Sequence, residues 1–449
     1  MPNANLTFVD NLVAQVLRDL HPGHLIRTQQ HALQSLGPCR VIAVGKAAHA
    51  MAEAAAPIVG ASLRGGILIA PPLIHPHIAA PSFALHPADH PLPTPRNLAA
   101  AGTAVELVRA LKPDEALLLL LSGGASAMLT LPAPGLTLDD LRAVTSALLR
   151  AGATIDELNC VRKHCEQLKG GGLACLAAQA GCRRALSLIL SDVVGDRLET
   201  IGSGPTERDP TTYADALGVL TRFTLLDAAP AITTHLRAGE AGKHAETLKP
   251  GDPVLARVEN IIIGSNQIAV DAAAAQLREL GFAVVEVRSG VTGEAREVGA
   301  QLAHRVSALA SMPHVTDAAR RAIIWGGETT VTVRGTGAGG RNQELALAAA
   351  LQLDGVPNIA VISFATDGVD GSSTAAGAVV TGSTAAMARA AGLDPVAALT
   401  NNDSHGFFNR LESSKTLSGR RILIQTGPTG TNVNDVMIGL WWAGSPNRL

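Results

Sequence analysis

The stretch RVIAVGKAAHAMAEAAAPIV, Arg40 to Val59, decides the fold class. A short apolar run ends at Gly45, and from Lys46 onward the spacing turns to alanine-rich helical period, so one strand hands over to a helix that Lys46 opens. The same switch recurs along the chain. ALLLLLSGG ends at Gly124, LSLILSDV at Val193, NIIIGSN at Asn266, AVISFATDG at Gly368 and RILIQTGPTG at Gly430, with helical patterns between them. Strands that are apolar on both faces belong to sheets covered by helices on both sides, the α/β arrangement. In open sheets of that kind ligands bind beyond the carboxyl ends of the strands, so these loops are the places to look for chemistry.

At 449 residues the chain exceeds one ordinary core. Between Leu236 and Val254 the composition shifts to Gly, Ala, His, Lys and Pro, which marks a junction. The expectation is two domains: an N-terminal Rossmann-like parallel sheet with helices on both faces over 1–245, and a C-terminal α/β domain over 246–449. Aromatic residues supply 2% of the chain against 47% apolar, so the cores are built from Leu, Ile, Val and Ala. A net charge of -2, a pI near 6.7 and no basic block exclude a nucleic-acid footprint. Five cysteines without a C-x-x-C pair signal neither a disulfide framework nor a zinc site. No membrane span and no signal peptide is read, since Gly123-Gly124 and Pro132 interrupt the longest uncharged run; a cytoplasmic protein is expected.

Lys46 follows Gly45 at the point where the helical pattern begins. A cation there opposes the helix dipole unless an anion binds both, so a carboxylate or phosphate is the partner this position suggests; a surface lysine at a fraying helix start is the plainer reading. Ser122, Gly123, Gly124 and Ser126 in SGGASA follow the strongest strand and offer backbone approach and hydroxyls. The loop GTGAGGRNQE, Gly335 to Glu344, fits G-x-G-x-x-G through Gly335, Gly337 and Gly340, yet no acidic residue stands at the ribose-binding spacing of a dinucleotide fold. Arg341, a second cation at a helix start, offers a planar fork for phosphoryl or carboxylate oxygens.

Carboxylates gather in SDVVGD (Asp192, Asp196) and TDGVDG (Asp367, Asp370). Phosphoryl transfer needs Mg²⁺ held by one or two carboxylates and a group that orients or deprotonates the attacking hydroxyl. For Asp196 and Asp370 turn formation and metal binding stand level. IGSGPTERDPTT (Ile201 to Thr212) and TGPTGTNVND (Thr426 to Asp435) are further Gly/Ser/Thr loops, and neither holds the lysine of a P-loop.

Together these loops resemble the glycerate 2-kinase family, whose C-terminal part is the MOFRL domain (here about 320–440) and whose members often bear the name hydroxypyruvate reductase. The resemblance rests on VGKAA, HPLP, LSGGASAML, KGGGLA, LSDVVGD, IGSGPTERDPTT, GGETTVTVRGTGAGGRNQE, TDGVDG and TGPTGTNVND, in that order from Val41 to Leu440. It implies ATP-dependent phosphorylation of D-glycerate to 2-phospho-D-glycerate, with Mg²⁺, in an interdomain cleft, by a monomer or homodimer. It points to Lys46, Arg341 and Asp192 as catalytic residues, with Asp192 as base or metal ligand and Asp367 as a second ligand. Gly45, Ser122, Gly123, Gly124, Ser126, Gly202, Ser203, Gly204, Glu328, Gly337, Gly339, Gly340, Asn342, Thr366 and Gly368 become candidate substrate or nucleotide contacts. The alternative it carries is an NAD(P)H-dependent hydroxypyruvate reductase. Two departures from the family wording are Asp89 and Thr94 flanking HPLP, and Ala125 where glycine is common.

Overall fold

The computed structural model describes residues 4–72, 83–311, 319–414, 416 and 421–444. The chain forms two compact units, Pro22–Ile263 and a second made of Met1–His21 with Gly264–Leu449. This differs from the expected division at 245/246 in two ways. The strand Val258–Gly264 completes the edge of the first sheet, and the helix Ala4–Asp19 packs on the helix Asn266–Glu279 of the second unit, with Phe8 and Phe282 ring centroids 6.0 Å apart.

In the first unit the strands are β1 (Cys39–Val44), β2 (Leu63–Ala70), β3 (Phe83–Pro87), β4 (Ala116–Leu121), β5 (Ala185–Leu190) and β6 (Val258–Gly264). Their order is β3-β2-β1-β4-β5-β6, with β1 to β5 paired in parallel. This is the doubly wound order of dinucleotide-binding sheets, in which the winding reverses between β1 and β4. All six residues of β4 and of β5 are buried, as the uninterrupted leucines require. Such a reversal is where open α/β sheets bind ligands, and here Gly45-Lys46 and Ser122–Ser126 follow the carboxyl ends of β1 and β4. A separate helical cluster, built on Leu141, Val144, Leu148, Val161, Leu220 and Leu236, forms a second core within this unit.

The second unit holds β7 (Ala283–Glu294), β8 (Arg320–Thr330), β9 (Ile359–Ala365), β10 (Gly377–Thr381), β11 (Leu423–Ile424) and β12 (Asp435–Trp442) in the order β11-β10-β9-β12-β8-β7. Only β7 and β8 pair in parallel; β12 runs antiparallel to both β8 and β9. The sheet is therefore mixed, and the ends of β8 and β9 share one edge with the start of β12. The helix Arg341–Gln352 is buried along Asn342 to Ala350, which makes its alanine-rich sequence a close-packed centre for this unit. In the stretch AIIWGGETTVTVRG a single strand runs only as far as Thr330. Beyond it Thr332 N donates to Glu294 and Arg334 N to Asn402, so side chains replace the ladder. Among the described residues no helix is long and apolar enough to cross a membrane.

Candidate active site

Lys46 lies two residues before the helix that its sequence pattern has it open. The helix begins at Ala48, and Gly45 to Ala47 form a turn locked onto the next strand: Lys46 N donates to Gly123 O at 2.9 Å and Ala47 N to Ser122 Oγ at 3.1 Å. Ser122 is buried and uses its hydroxyl on Val44 O as well. Gly45 has φ +117, and a Cβ there would lie 2.3 Å from Ser122 Oγ, so only glycine lets the two strand ends meet this closely. The Lys46 side chain is exposed, and its ammonium has no hydrogen-bond or ion-pair partner among the described residues.

Beside it, the amides of Gly123 and Gly124 donate to nothing among the described residues. Asp192, half-buried after β5, leans against this turn: its Oδ2 is 2.2 Å from where a Cβ on Gly123 would stand. His90 Cδ2 is 3.1 Å from the corresponding point on Gly124. Partial burial and the Lys46 charge hold the His90 imidazole below its ordinary pKa, so the ring is neutral at pH 7. Asn97, fully buried, takes Asp89 N and Thr94 N on its Oδ1 and gives its amide to Asp89 O and Ala127 O. The HPLP turn is thereby tied to the turn that bears the free amides. Thr94 caps the helix Pro95–Arg109. Ser126 Oγ meets Ser203 Oγ at 2.6 Å, and Gly202, Ser203 and Gly204 all have positive φ near 56–60°. Non-glycine Ser203 in that conformation is backbone strain held by its surroundings.

The remaining sequence-predicted residues belong to the second unit. Arg341, first residue of its helix, gives Nε and Nη2 to Asp435 at 2.6 and 3.1 Å and Nη1 to Glu328 at 2.9 Å. Burial pushes the Asp435 carboxyl up to about 7, with the Arg341 charge opposing. Asp370 accepts the Asn342 and Gln343 amides at 3.0 and 2.9 Å, together with both side-chain amides, and so caps this helix. Turn and cap, not metal, account for Asp370. Asn342 is buried between Asp370 and Ser363, and Thr366 is tied to Asn434 and Val433. Asp367 is half-buried with its Oδ1 on Val369 N, and Gly368 lies against Gly427.

The glycine loop departs from its dinucleotide-like appearance. Arg334 N and Gly335 N donate to Asn402 Oδ1, Thr336 N to Asn401 Oδ1, Gly337 N to Asn401 O and Ala338 N to Asp403 Oδ1. Gly335, Gly337 and Gly340 admit the close approach of Asn401, Asp403 and Asp370, and Gly339 that of Ser404. The amides that would cradle a pyrophosphate are already used within the protein. Among the described residues no group of three His, Cys, Asp or Glu is arranged to hold a metal, and Asp192 and Asp367 fall in different units.

Residues 8–237 match the family described as Domain of unknown function (DUF4147), and 321–435 match the MOFRL family. D-glycerate 2-kinase of Thermotoga maritima is 40% identical over 92% of this chain and 94% of its own. Glycerate 2-kinase of Pyrococcus horikoshii is 36% identical over 90% of this chain and 87% of its own. The chain belongs to the glycerate 2-kinase family. The crystal structure of glycerate kinase from Thermotoga maritima superposes with a TM-score of 0.88 at 36% identity, covering 98% of this chain and all of that one. Within this glycerate 2-kinase framework two groups escaped the sequence reading. Asp435 closes TGPTGTNVND as an ordinary strand-start acid, and only its antiparallel register opposite Gly327 reveals Arg341 as its partner. His90 belongs to HPLP, and its nearness to Lys46 follows from the parallel order of β1, β2 and β3.

Proposed function

We propose that this chain transfers the γ-phosphoryl group of ATP to the 2-hydroxyl of D-glycerate, giving 2-phospho-D-glycerate. The observation that carries the reading is that the amides of Gly123 and Gly124 and the ammonium of Lys46 have no partner among the described residues, at the switch point of a doubly wound sheet and against the Asp192 carboxylate. Two N–H donors and a cation lie on adjoining turns there, a combination that suits phosphoryl or carboxylate oxygens. Charge of this kind, fixed before the reaction, stabilises the oxygens of a transferring phosphoryl group without reorganisation.

Asp192 stands where it can take the proton of the attacking hydroxyl or bind Mg²⁺. Its lone carboxylate fits a nucleotide-borne magnesium, which takes one or two protein carboxylates and fills its other positions with phosphate oxygens and water. Bound there, the cation would neutralise charge on the phosphate oxygens. Arg341 keeps two of its five N–H groups beyond those given to Asp435 and Glu328, and these suit an anionic oxygen at its own unit. Neutral His90 lends a ring face and a hydrogen bond without adding charge.

The test is an ADP-release assay with purified protein, ATP, Mg²⁺ and a panel of small hydroxy acids, followed by phosphorus and proton NMR of the product. D-glycerate is expected to be turned over and phosphorylated at C2. A product carrying phosphate at C3, or oxidation of NADH by hydroxypyruvate in the absence of ATP, refutes the assignment.

A further inference from the structure

Lysine is rarely buried outright, because an ammonium loses its hydration at large cost unless it is paired. Lys169, in KGGGLA, is 2% exposed. Its Nζ donates to Ser126 O at 2.7 Å and to Leu129 O at 3.5 Å, and lies 2.9 Å from Glu166 Oε2. Arg162 Nη2 donates to the same Ser126 carbonyl at 3.0 Å, while its Nε reaches Glu166 Oε1 at 3.3 Å. Two cations therefore donate to one peptide oxygen, which also accepts the Thr130 hydroxyl at 3.3 Å, and one carboxylate bridges them. Lys169, Arg162 and Glu166 together leave one net positive charge under the turn whose amides have no partner among the described residues. The same segment is stitched to the strained Ser203 turn by Gly170 N to Ser203 O at 3.1 Å and Gly171 N to Gly204 O at 2.7 Å.

We propose that Lys169, with Arg162 and Glu166, is a positioning residue that clamps the Ser122–Ser126 turn through the Ser126 carbonyl and keeps a net positive charge beneath its anion-binding amides. This rests on the kinase reading of that turn. A packing role alone would be served by an aliphatic side chain of the same length. The charge makes the difference: it holds the four-residue helix Ala125–Met128 at its carboxyl end and raises the potential where phosphoryl oxygens bind. Burial, opposed by Glu166, lowers the Lys169 pKa to about 8, so the charge can be removed within the range of an assay. Few other groups interfere. The helices Ala125–Met128 and Gly172–Gln179 and the turn Ile201–Ser203 bring no charged side chain, and Lys163 on the neighbouring helix is committed to Asp209 at 2.5 Å.

The experiment compares full-length wild type, Lys169→Met and Arg162→Gln. ADP affinity is measured by calorimetry between pH 7 and 9.5, and KM and kcat with ATP and D-glycerate in the same preparations. Loss of a charged hydrogen bond of this kind corresponds to about tenfold weaker ADP binding at pH 7. Wild-type affinity is expected to decline above about pH 8 as Lys169 deprotonates, and Lys169→Met to show low affinity without that decline. Arg162→Gln, partly exposed and the safer variant to fold, is expected to weaken ADP binding while keeping the alkaline decline. Variants that bind ADP as tightly as wild type, with the same alkaline response, overturn the inference even if they melt earlier. Wild type that binds ADP but turns over no glycerate refutes only the kinase assignment, and wild type that binds no ADP refutes both.

Discussion

Gly123→Ala is the most direct perturbation of the proposed site. Gly123 does not occupy the left-handed region, so alanine adds no backbone strain, and the change acts through one methyl group. That methyl would stand 2.2 Å from Asp192 Oδ2, whereas an unstrained contact needs roughly 3.5 Å, so the carboxylate must retreat by about 1.3 Å or the turn must open. Misplacement on the order of 1 Å costs about a hundredfold in rate when a group must meet its target in one geometry. The expected outcome is kcat for ATP-dependent glycerate phosphorylation lowered about a hundredfold, with Gly218→Ala as the control. Gly218 lies exposed within the helix Tyr213–Arg222 with nothing within 4 Å of an added Cβ, and alanine there should stabilise by roughly 0.5–1 kcal/mol at full activity. Circular dichroism and melting curves monitor folding. A folded Gly123→Ala protein with wild-type kcat and KM would refute the claim that Asp192 works from this position.

Three further outcomes are expected. Lys46→Ala should lose about a hundredfold or more in kcat/KM with an unchanged melting temperature, because its exposed ammonium makes no ion pair among the described residues; a wild-type rate removes it from the mechanism. Asp192→Asn should lose activity that excess Mg²⁺ restores in part if the carboxylate binds metal, and that no Mg²⁺ concentration restores if it accepts the proton, so Mg²⁺ titration of kcat separates the roles. Asp435 has its folded pKa raised to about 7, above an unfolded value near 3.8, so the folded state takes up a proton between these limits. Its contribution to stability is full below about pH 4 and is lost as pH rises toward 7, and urea midpoints of wild type minus Asp435→Asn should fall across that window and level off above it. A flat difference would show the carboxylate ionised throughout.

How much of this was legible without coordinates depended on whether the needed partner was near in sequence. The strand-to-helix handovers that place Lys46 and Ser122–Ser126 at carboxyl ends are local events, and apolar runs punctuated by glycine report them directly. Sheet order is not local, and the switch point became visible only when β1 was seen between β2 and β4. The glycine loop shows the opposite failure. Its spacing matched a nucleotide fingerprint, but the acceptors for its amides are Asn401, Asn402 and Asp403, far downstream, so the pattern could not disclose that the donors were spent. A loop of glycines implies close approach by something; which partner approaches is a tertiary fact. The same asymmetry separates the two cations. Lys46 and Arg341 both read as charges at helix starts, yet Asp435 and Glu328 meet Arg341 through antiparallel pairing while nothing described meets Lys46. An arginine held by two carboxylates is aimed by them and gives up part of its field. An ammonium with no partner among the described residues keeps all of its own, so under the proposed function anion binding at the switch point is expected of Lys46.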